Sequence, residues 1–213
     1  MIFSLLGEPT FLLAFLVSIV LAITVHEFSH SLTATLLGDR TSKYQGRLTL
    51  NPIAHLDFLG SLMLLLAGFG WGKPVPVNPY NLRFKRYGEA IVSLSGPLSN
   101  FIMVFLVGIL YKLLLSYTAI GFESMLYIFL EIFLQINLIL GVFNLIPIPP
   151  LDGSKVLFSF LPYSLEHFKI RLEQSGPMLL LGLIIIDRFL NINIFGGLSN
   201  LFYNGILRLL GLG

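Results

Sequence analysis

Residues 10–37 read TFLLAFLVSIVLAITVHEFSHSLTATLL, and the only ionisable side chains among them are His26, Glu27 and His30. A helix needs about 20 apolar residues to cross the core of a bilayer, so this stretch predicts a membrane-spanning helix. The preceding residues 1–9 carry no Lys or Arg, and the apolar run is longer than the core of a signal peptide. We therefore expect the helix to be retained.

The composition of the whole chain supports a membrane protein. Of the 213 residues, 55% are hydrophobic and 11% are charged, whereas soluble domains carry about 25% charged residues. This excludes a water-soluble enzyme, a disordered chain and a nucleic-acid-binding module. The net charge of +2 predicts no nucleic-acid partner. Cysteine is absent, which excludes thiolate nucleophiles, thiolate metal sites and disulfides.

We predict an all-α polytopic membrane protein that forms a single integral membrane domain over residues 1–213, with the lipid bilayer as its surroundings. About five membrane helices are expected, at residues 10–37, 90–111, 124–146, 177–190 and 194–210. Residues 58–71 are apolar but too short to cross, and they predict a re-entrant, partly β loop at about 46–80. Residues 46–51 alternate polar and apolar side chains, which is typical of an edge strand.

Lys and Arg predict the orientation. They concentrate in the segments 40–86 and 155–171, and the positive-inside rule places both on the cytoplasmic side. The prediction is a multi-pass protein of the cell membrane. The first helix then runs inward, and its His and Glu residues lie in its cytoplasmic half.

Residues 26–30 form the motif H-E-x-x-H. On a helix, residues four apart share a face, so His26 and His30 can both reach one Zn²⁺ ion. Glu27 can take the proton from the attacking water. Buried histidines that serve only the structure are the alternative. Ionisable groups inside an apolar span are costly to bury, and this favours a functional site.

A hydrolytic zinc site usually has a third protein ligand. Asp152 follows the third predicted helix and a run of prolines that ends it, which brings Asp152 to the cytoplasmic side. Asp57 is the serious rival for this position. Glu131 lies in the outer half of its helix, and Glu89 adjoins a basic run.

These motifs, taken together, resemble the site-2 protease family of intramembrane zinc metalloproteases, in its short form without a PDZ domain. The H-E-x-x-H motif is followed by N-P-x-x-H-x-D at 51–57, G-W-G-K-P-V-P-V-N-P at 70–79, S-G-P-L-S-N at 95–100 and N-x-x-P-x-P-x-x-D-G at 144–153. The resemblance implies one Zn²⁺ held by His26, His30 and Asp152, with Glu27 as the catalytic base. Phe58 departs from the family, where Pro is frequent after the Asp.

The expected activity is hydrolysis of peptide bonds in the transmembrane segment of a membrane-anchored substrate, as in regulated intramembrane proteolysis. The partner would be a single-span membrane protein or a signal-peptide remnant. The oligomeric state has no visible signal in the sequence. Asn144 and His55 are candidate donors to the oxyanion. The alternative for Asn144 is a helix-capping or interhelical hydrogen bond, and the alternative for His55 is a solvated loop histidine. The rival functions are a metal or proton transporter and an inactive adaptor with a structural zinc.

Overall fold

The structure is a computed structural model that describes residues 8–67, 70–117, 124–190 and 194–210. These residues are mostly helical. The helices are α1 (Pro9–Leu36), α2 (Thr41–Tyr44), α3 (Phe58–Ala67), α4 (Gly88–Tyr117), α5 (Met125–Asn144), α6 (Asp152–Phe160), α7 (Glu166–Phe189) and α8 (Ile194–Leu210). Single 3₁₀ turns lie at Pro52–Ala54, Pro79–Asn81 and Tyr163–Leu165.

Three of the described helices, α1, α4 and α5, are long and apolar enough to cross a membrane. They contain 28, 30 and 20 residues, and a span needs about 20. Their positions match the three predicted spans at 10–37, 90–111 and 124–146. Ser124 caps the start of α5, because its side chain accepts a hydrogen bond from the amide of Tyr127.

The three spanning helices pack against one another and form the centre of the molecule. The side chains that α1 buries are largely small, among them Ala14, Ser18, Ala22 and Ala34. Small side chains let helix backbones approach closely inside a membrane, where packing and hydrogen bonds replace the hydrophobic effect. Between α4 and α5 the contact is instead filled by larger side chains, Val104, Leu134, Leu138 and Val142.

The predicted count of about five membrane helices is not confirmed. The predicted span 177–190 is the second half of α7, whose first half carries Glu166, Lys169, Arg171 and Glu173. The predicted span 194–210 matches α8, which has 17 residues and is shorter than the length a crossing usually needs. In the described part of the chain, only α1, α4 and α5 qualify as candidate spans.

The predicted partly β loop at 46–80 is also not confirmed. Most of its apolar part is helix α3, which has 10 residues and is about 15 Å long, half the thickness of a bilayer core. The β structure among the described residues of this loop is one isolated antiparallel bridge between Leu56 and Gly72. Residues 46–51 form a turn, two bends and irregular backbone instead of a strand. The amide of Arg47 donates to the carbonyl of Ser42, and the carbonyl of Thr49 accepts from the His55 side chain.

Candidate metal centre

Helix α1 brings His26 and His30 together one turn apart. Their rings meet edge to face with centroids 4.6 Å apart, and their Nε2 atoms are 3.0 Å apart. Both side chains are buried against α4, at 4% and 7% exposure. The arrangement follows from local helix geometry, since residues at i and i+4 lie on one face.

Asp152 reaches the histidine pair because the chain turns back sharply after α5. The turn contains three prolines, which cannot continue the helix, and Asp152 begins α6. Gly153 makes the turn possible, since a Cβ atom there would lie 2.2 Å from the carbonyl oxygen of Leu145. Asp152 Oδ2 lies 3.1 Å from Nε2 of His26 and 3.2 Å from Nε2 of His30.

The second nitrogen of each imidazole is bound by an acceptor. His26 Nδ1 lies 2.6 Å from Oδ1 of Asn100, and His30 Nδ1 lies 2.7 Å from the carbonyl oxygen of Val92. Both acceptors require a proton on Nδ1, so each neutral ring presents an unprotonated Nε2. The two lone pairs and the Asp152 carboxylate therefore face one another.

Three electron-pair donors this close repel one another unless a cation lies between them. Ligand atoms bound to one Zn²⁺ at about 2.0–2.1 Å in tetrahedral geometry lie about 3.3–3.4 Å apart. The separations of 3.0–3.2 Å found here are close to that spacing. The donor set of two imidazoles and one carboxylate is that of a hydrolytic zinc site, and the residues fit a bound zinc ion.

The backbone of α4 lies directly against these ligands. A Cβ atom on Gly96 would lie 2.5 Å from Nε2 of His30 and 2.6 Å from Nε2 of His26. Gly96 belongs to the S-G-P-L-S-N motif at 95–100. The glycine lets α4 pack closely against the pair of metal-ligating imidazoles.

Glu27 lies beside the ligands on α1 and is partly exposed. Its Oε2 accepts a hydrogen bond of 3.1 Å from the backbone amide of Val75. The loop that carries this amide passes close to α1 at Gly72, where a Cβ atom would meet Ile23 at 2.9 Å. The loop thus orients the carboxylate that was predicted as the base.

Arg47 and His55 hold this loop in place. The Arg47 guanidinium donates to the carbonyl of Lys73, and the amide of Lys73 donates to the carbonyl of His55 at 2.8 Å. Arg47 is 5% exposed. Burial lowers the pKa of its guanidinium, an effect that the charge of Glu27 opposes.

The rival ligands lie elsewhere. Asp57 Oδ1 accepts a 2.8 Å hydrogen bond from the amide of Gly60 and so caps the start of α3. Glu131 is exposed on α5, where it accepts a hydrogen bond from Gln135. Within the described ranges, the single group of three or more His, Asp or Glu residues that could hold one metal ion is His26, His30 and Asp152.

Asp152 supplies the carboxylate of the donor set. Its Oδ2 faces the two unprotonated Nε2 atoms at 3.1 and 3.2 Å, where all three atoms can share one cation. An ionised carboxylate is the form that ligates a metal ion.

The two candidate oxyanion donors have other partners in the structure. Asn144 is the last residue of α5, and its Nδ2 donates to the carbonyl of Leu140 at 2.9 Å. His55 is fully buried, and its Nε2 donates to the carbonyl of Thr49 at 2.7 Å. The solvated-loop alternative for His55 is therefore wrong, and the oxyanion role of both residues stays a prediction.

Comparison with known proteins supports a protease. Residues 113–183 match the model of Peptidase family M50. YwhC of Bacillus subtilis, named as a proposed zinc metalloprotease, is 39% identical over 181 residues, which cover 83% of this chain and 83% of YwhC. The chain belongs to peptidase family M50. This is the family of the site-2 proteases, so the resemblance inferred from the motifs is confirmed.

Two mycobacterial relatives are more distant. Rip2 of Mycolicibacterium smegmatis, likewise named as a proposed zinc metalloprotease, is 29% identical over 78% of this chain and 64% of Rip2. Rip2 of Mycobacterium tuberculosis is 32% identical over 64% of this chain and 52% of its own length. No solved structure matches the chain significantly.

As an M50 peptidase, the protein is a zinc metalloendopeptidase of the membrane. The transporter alternative is not favoured, because the relatives are named as metalloproteases. Sequence reasoning did not find Gly96, Asn137 or Val75 as parts of the site. Gly96 contacts the ligands, Val75 contacts Glu27, and Asn137 contacts Asn100, each across chain segments. The motifs at 70–79 and 95–100 contain Val75 and Gly96, but spacing along the chain does not specify these contacts.

Proposed function

We propose that this M50 peptidase hydrolyses peptide bonds within the transmembrane segment of membrane-anchored substrate proteins, with its active site toward the cytoplasmic side of the cell membrane. The observation that carries the proposal is the position of the ligands on a spanning helix. His30 and His26 are six and ten residues from Leu36, the end of α1, which is about 9–15 Å along the helix axis. A bilayer core is about 30 Å thick, so the ligands lie at membrane depth.

Each residue of the site has a defined task in this proposal. His26, His30 and Asp152 would hold the zinc ion, which when bound polarises the scissile carbonyl group and acidifies water. Glu27 takes the proton of the attacking water and passes it to the leaving amine. The amide of Val75 keeps the Glu27 carboxylate in position. Asn144 and His55 are proposed as donors to the oxyanion.

A substrate helix has to unwind before it can be cleaved, because its carbonyl groups are bound within the helix. We propose a single-span membrane protein or a signal-peptide remnant as the substrate, since either one presents such a helix. The re-entrant placement of α3 and its loops, and a single membrane domain over residues 1–213, belong to the same proposal.

The test is cleavage of single-span reporter proteins by the purified protease in liposomes. We expect Glu27→Gln to keep its zinc and to lose activity by about 10²–10⁴-fold. Glu131→Gln is the matched control, since it makes the same change on the exposed face of another spanning helix, and we expect normal cleavage. A Glu27→Gln protein that cleaves at the wild-type rate would refute the proposed function.

The orientation can be tested separately, because the chain contains no cysteine. A single cysteine at Lys43, near the end of α1, and another at Ser124, at the start of α5, would each be unique. We expect a membrane-impermeant thiol reagent on intact cells to label Ser124→Cys and not Lys43→Cys. The reverse pattern would place the site on the outer side.

A further inference from the structure

Two asparagines form a chain of hydrogen bonds that leads away from the metal ligands. Asn100 of α4 accepts from His26 Nδ1 through Oδ1, and its Nδ2 donates to Oδ1 of Asn137 at 2.9 Å. Asn137 of α5 in turn donates to the carbonyl of Phe133 at 2.9 Å. Both asparagines are 0% exposed, and they lie in membrane-spanning helices.

Every hydrogen bond in this series runs in the same direction: the donor is the group nearer His26, and the acceptor is the group farther from it. Asn100 Nδ2 also donates to the carbonyl of Ala22, so its amide cannot rotate without breaking two bonds. Its oxygen therefore faces His26. A ring held this way carries its proton on Nδ1, which leaves Nε2 bare for a metal ion. Aligned hydrogen bonds also polarise one another.

The same series of hydrogen bonds joins the two segments that supply the ligands. His26 is on α1, and Asp152 follows the sharp turn at the end of α5. Asn137 lies two turns before Asn144, the last residue of α5, at the level where α5 faces His26. A hydrogen bond at this level fixes the depth and the rotation of α5 relative to α4 and α1.

We infer that Asn100 and Asn137 are positioning residues for the zinc site: together they preset the tautomer of His26 and hold α5, and with it Asp152, in register with the histidine pair. The inference rests on the zinc centre and not on the proposed substrate. Asn100 acts on His26 directly, and Asn137 acts through Asn100.

The test is zinc affinity, measured without substrate by competition with a chelator, in four variants of the full chain. We expect Asn100→Leu to lose about 10–100-fold in affinity, the usual effect of removing the partner of a metal-ligating histidine. Asn137→Leu should lose less, about 3–10-fold, because it acts through Asn100. Asn100→Asp and Asn137→Asp should lose less affinity than the corresponding Leu variants, since each keeps the side-chain oxygen that accepts the hydrogen bond from the histidine side.

Ser18→Ala is the matched control. Ser18 is fully buried in α1, and its hydroxyl has no hydrogen-bond partner among the described residues. We expect its loss to leave zinc affinity unchanged. Folded Leu variants that bind zinc as tightly as the wild type would overturn the inference. Asp variants that lose as much affinity as the Leu variants would also overturn it.

A second measurement covers the case in which the Leu variants do not fold. In wild-type protein freed of metal and labelled with ¹⁵N-histidine, we expect the His26 resonance of the tautomer with hydrogen on Nδ1. A proton on Nε2 would contradict the inference. Because neither measurement uses a substrate, both can succeed when the proteolysis proposal fails, and the reverse also holds.

Discussion

Gly96 and His30 are so close that a methyl group on the glycine would lie 2.5 Å from the Nε2 atom of the histidine. The same methyl group would lie 2.6 Å from Nε2 of His26. Non-bonded contacts this short essentially never occur for a Cβ atom in folded proteins. The metal centre therefore exists only because the facing position on α4 has no side chain.

We expect Gly96→Ala to lose zinc. The added methyl group must push both imidazoles away from Asp152, and overpacking of this kind costs about 1–3 kcal/mol. The effect is measured as the zinc content of the purified protein. We expect it to be low, because the affinity for zinc should fall by at least about tenfold. Gly182→Ala is the control, because a Cβ atom there would meet nothing within 4 Å. Equal zinc content in the two variants would contradict this account of the centre.

Gly153→Ala should separate the third ligand from the histidine pair. A Cβ atom at Gly153 would lie 2.2 Å from the backbone carbonyl oxygen of Leu145 and 2.7 Å from that of Ile146. Backbone atoms cannot rotate away as a side chain does, so the turn must open and Asp152 must move. When Co²⁺ replaces zinc, its visible absorption spectrum shows the coordination geometry of the metal site. We expect the tetrahedral spectrum to be weak or absent in Gly153→Ala and normal in Gly205→Ala, where the added Cβ atom meets nothing within 4 Å.

Arg47→Met should lower turnover without removing zinc. The guanidinium holds the carbonyl of Lys73, and the loop beyond it supplies the amide that binds Glu27. With the loop released, the carboxylate loses its fixed orientation, and we expect a drop of about tenfold in kcat. Arg83→Met is the control, since Arg83 is an exposed cation in the same loop region. Loss of zinc in Arg47→Met, or an equal loss of activity in both variants, would argue against a role through Glu27.

Asp39 gives the fold a pH dependence outside the spanning helices. It is 0% exposed. Burial alone would raise the pKa of its carboxyl group, but the hydrogen bonds from Thr41, Asn78 and Asn81 outweigh burial and lower it. A lowered pKa in the folded state contributes stability above the ordinary pKa of about 3.9. That stability is lost as the pH falls through the pKa of the folded state.

Thermal unfolding of the metal-free protein between about pH 6 and pH 3 tests this dependence. We expect the wild type to lose stability more steeply toward low pH than Asp39→Asn. At pH 6 the variant should be less stable than the wild type by about 1–3 kcal/mol. The carboxylate accepts N–H hydrogen bonds on both oxygens, whereas the amide of the Asp39→Asn variant would turn its NH₂ group toward some of those donors. Parallel pH curves would show that Asp39 does not contribute this dependence. Metal-free protein avoids the loss of zinc in acid.

Much of the fold and part of the site could be predicted from local patterns. Hydropathy locates α1, α4 and α5, because a run of apolar residues as long as a bilayer is thick can only be a span. The further spans that hydropathy predicted at 177–190 and 194–210 are not confirmed, since hydropathy does not tell a spanning helix from a shorter apolar one such as α8. The alternation at 46–51 predicted a strand that did not form, because its backbone groups found partners in neighbouring turns.

Spacing along α1 is enough to pair His26 with His30 and to place Glu27 beside them, because residues four apart on a helix must share a face. Packing between chain segments settles the choice between Asp152, which reaches the histidine pair, and Asp57, which caps α3. The same packing places Gly96 against the ligands and Asn100 against His26. These contacts depend on the depth and rotation of one helix relative to another. Hydropathy and spacing along one helix carry no information about either.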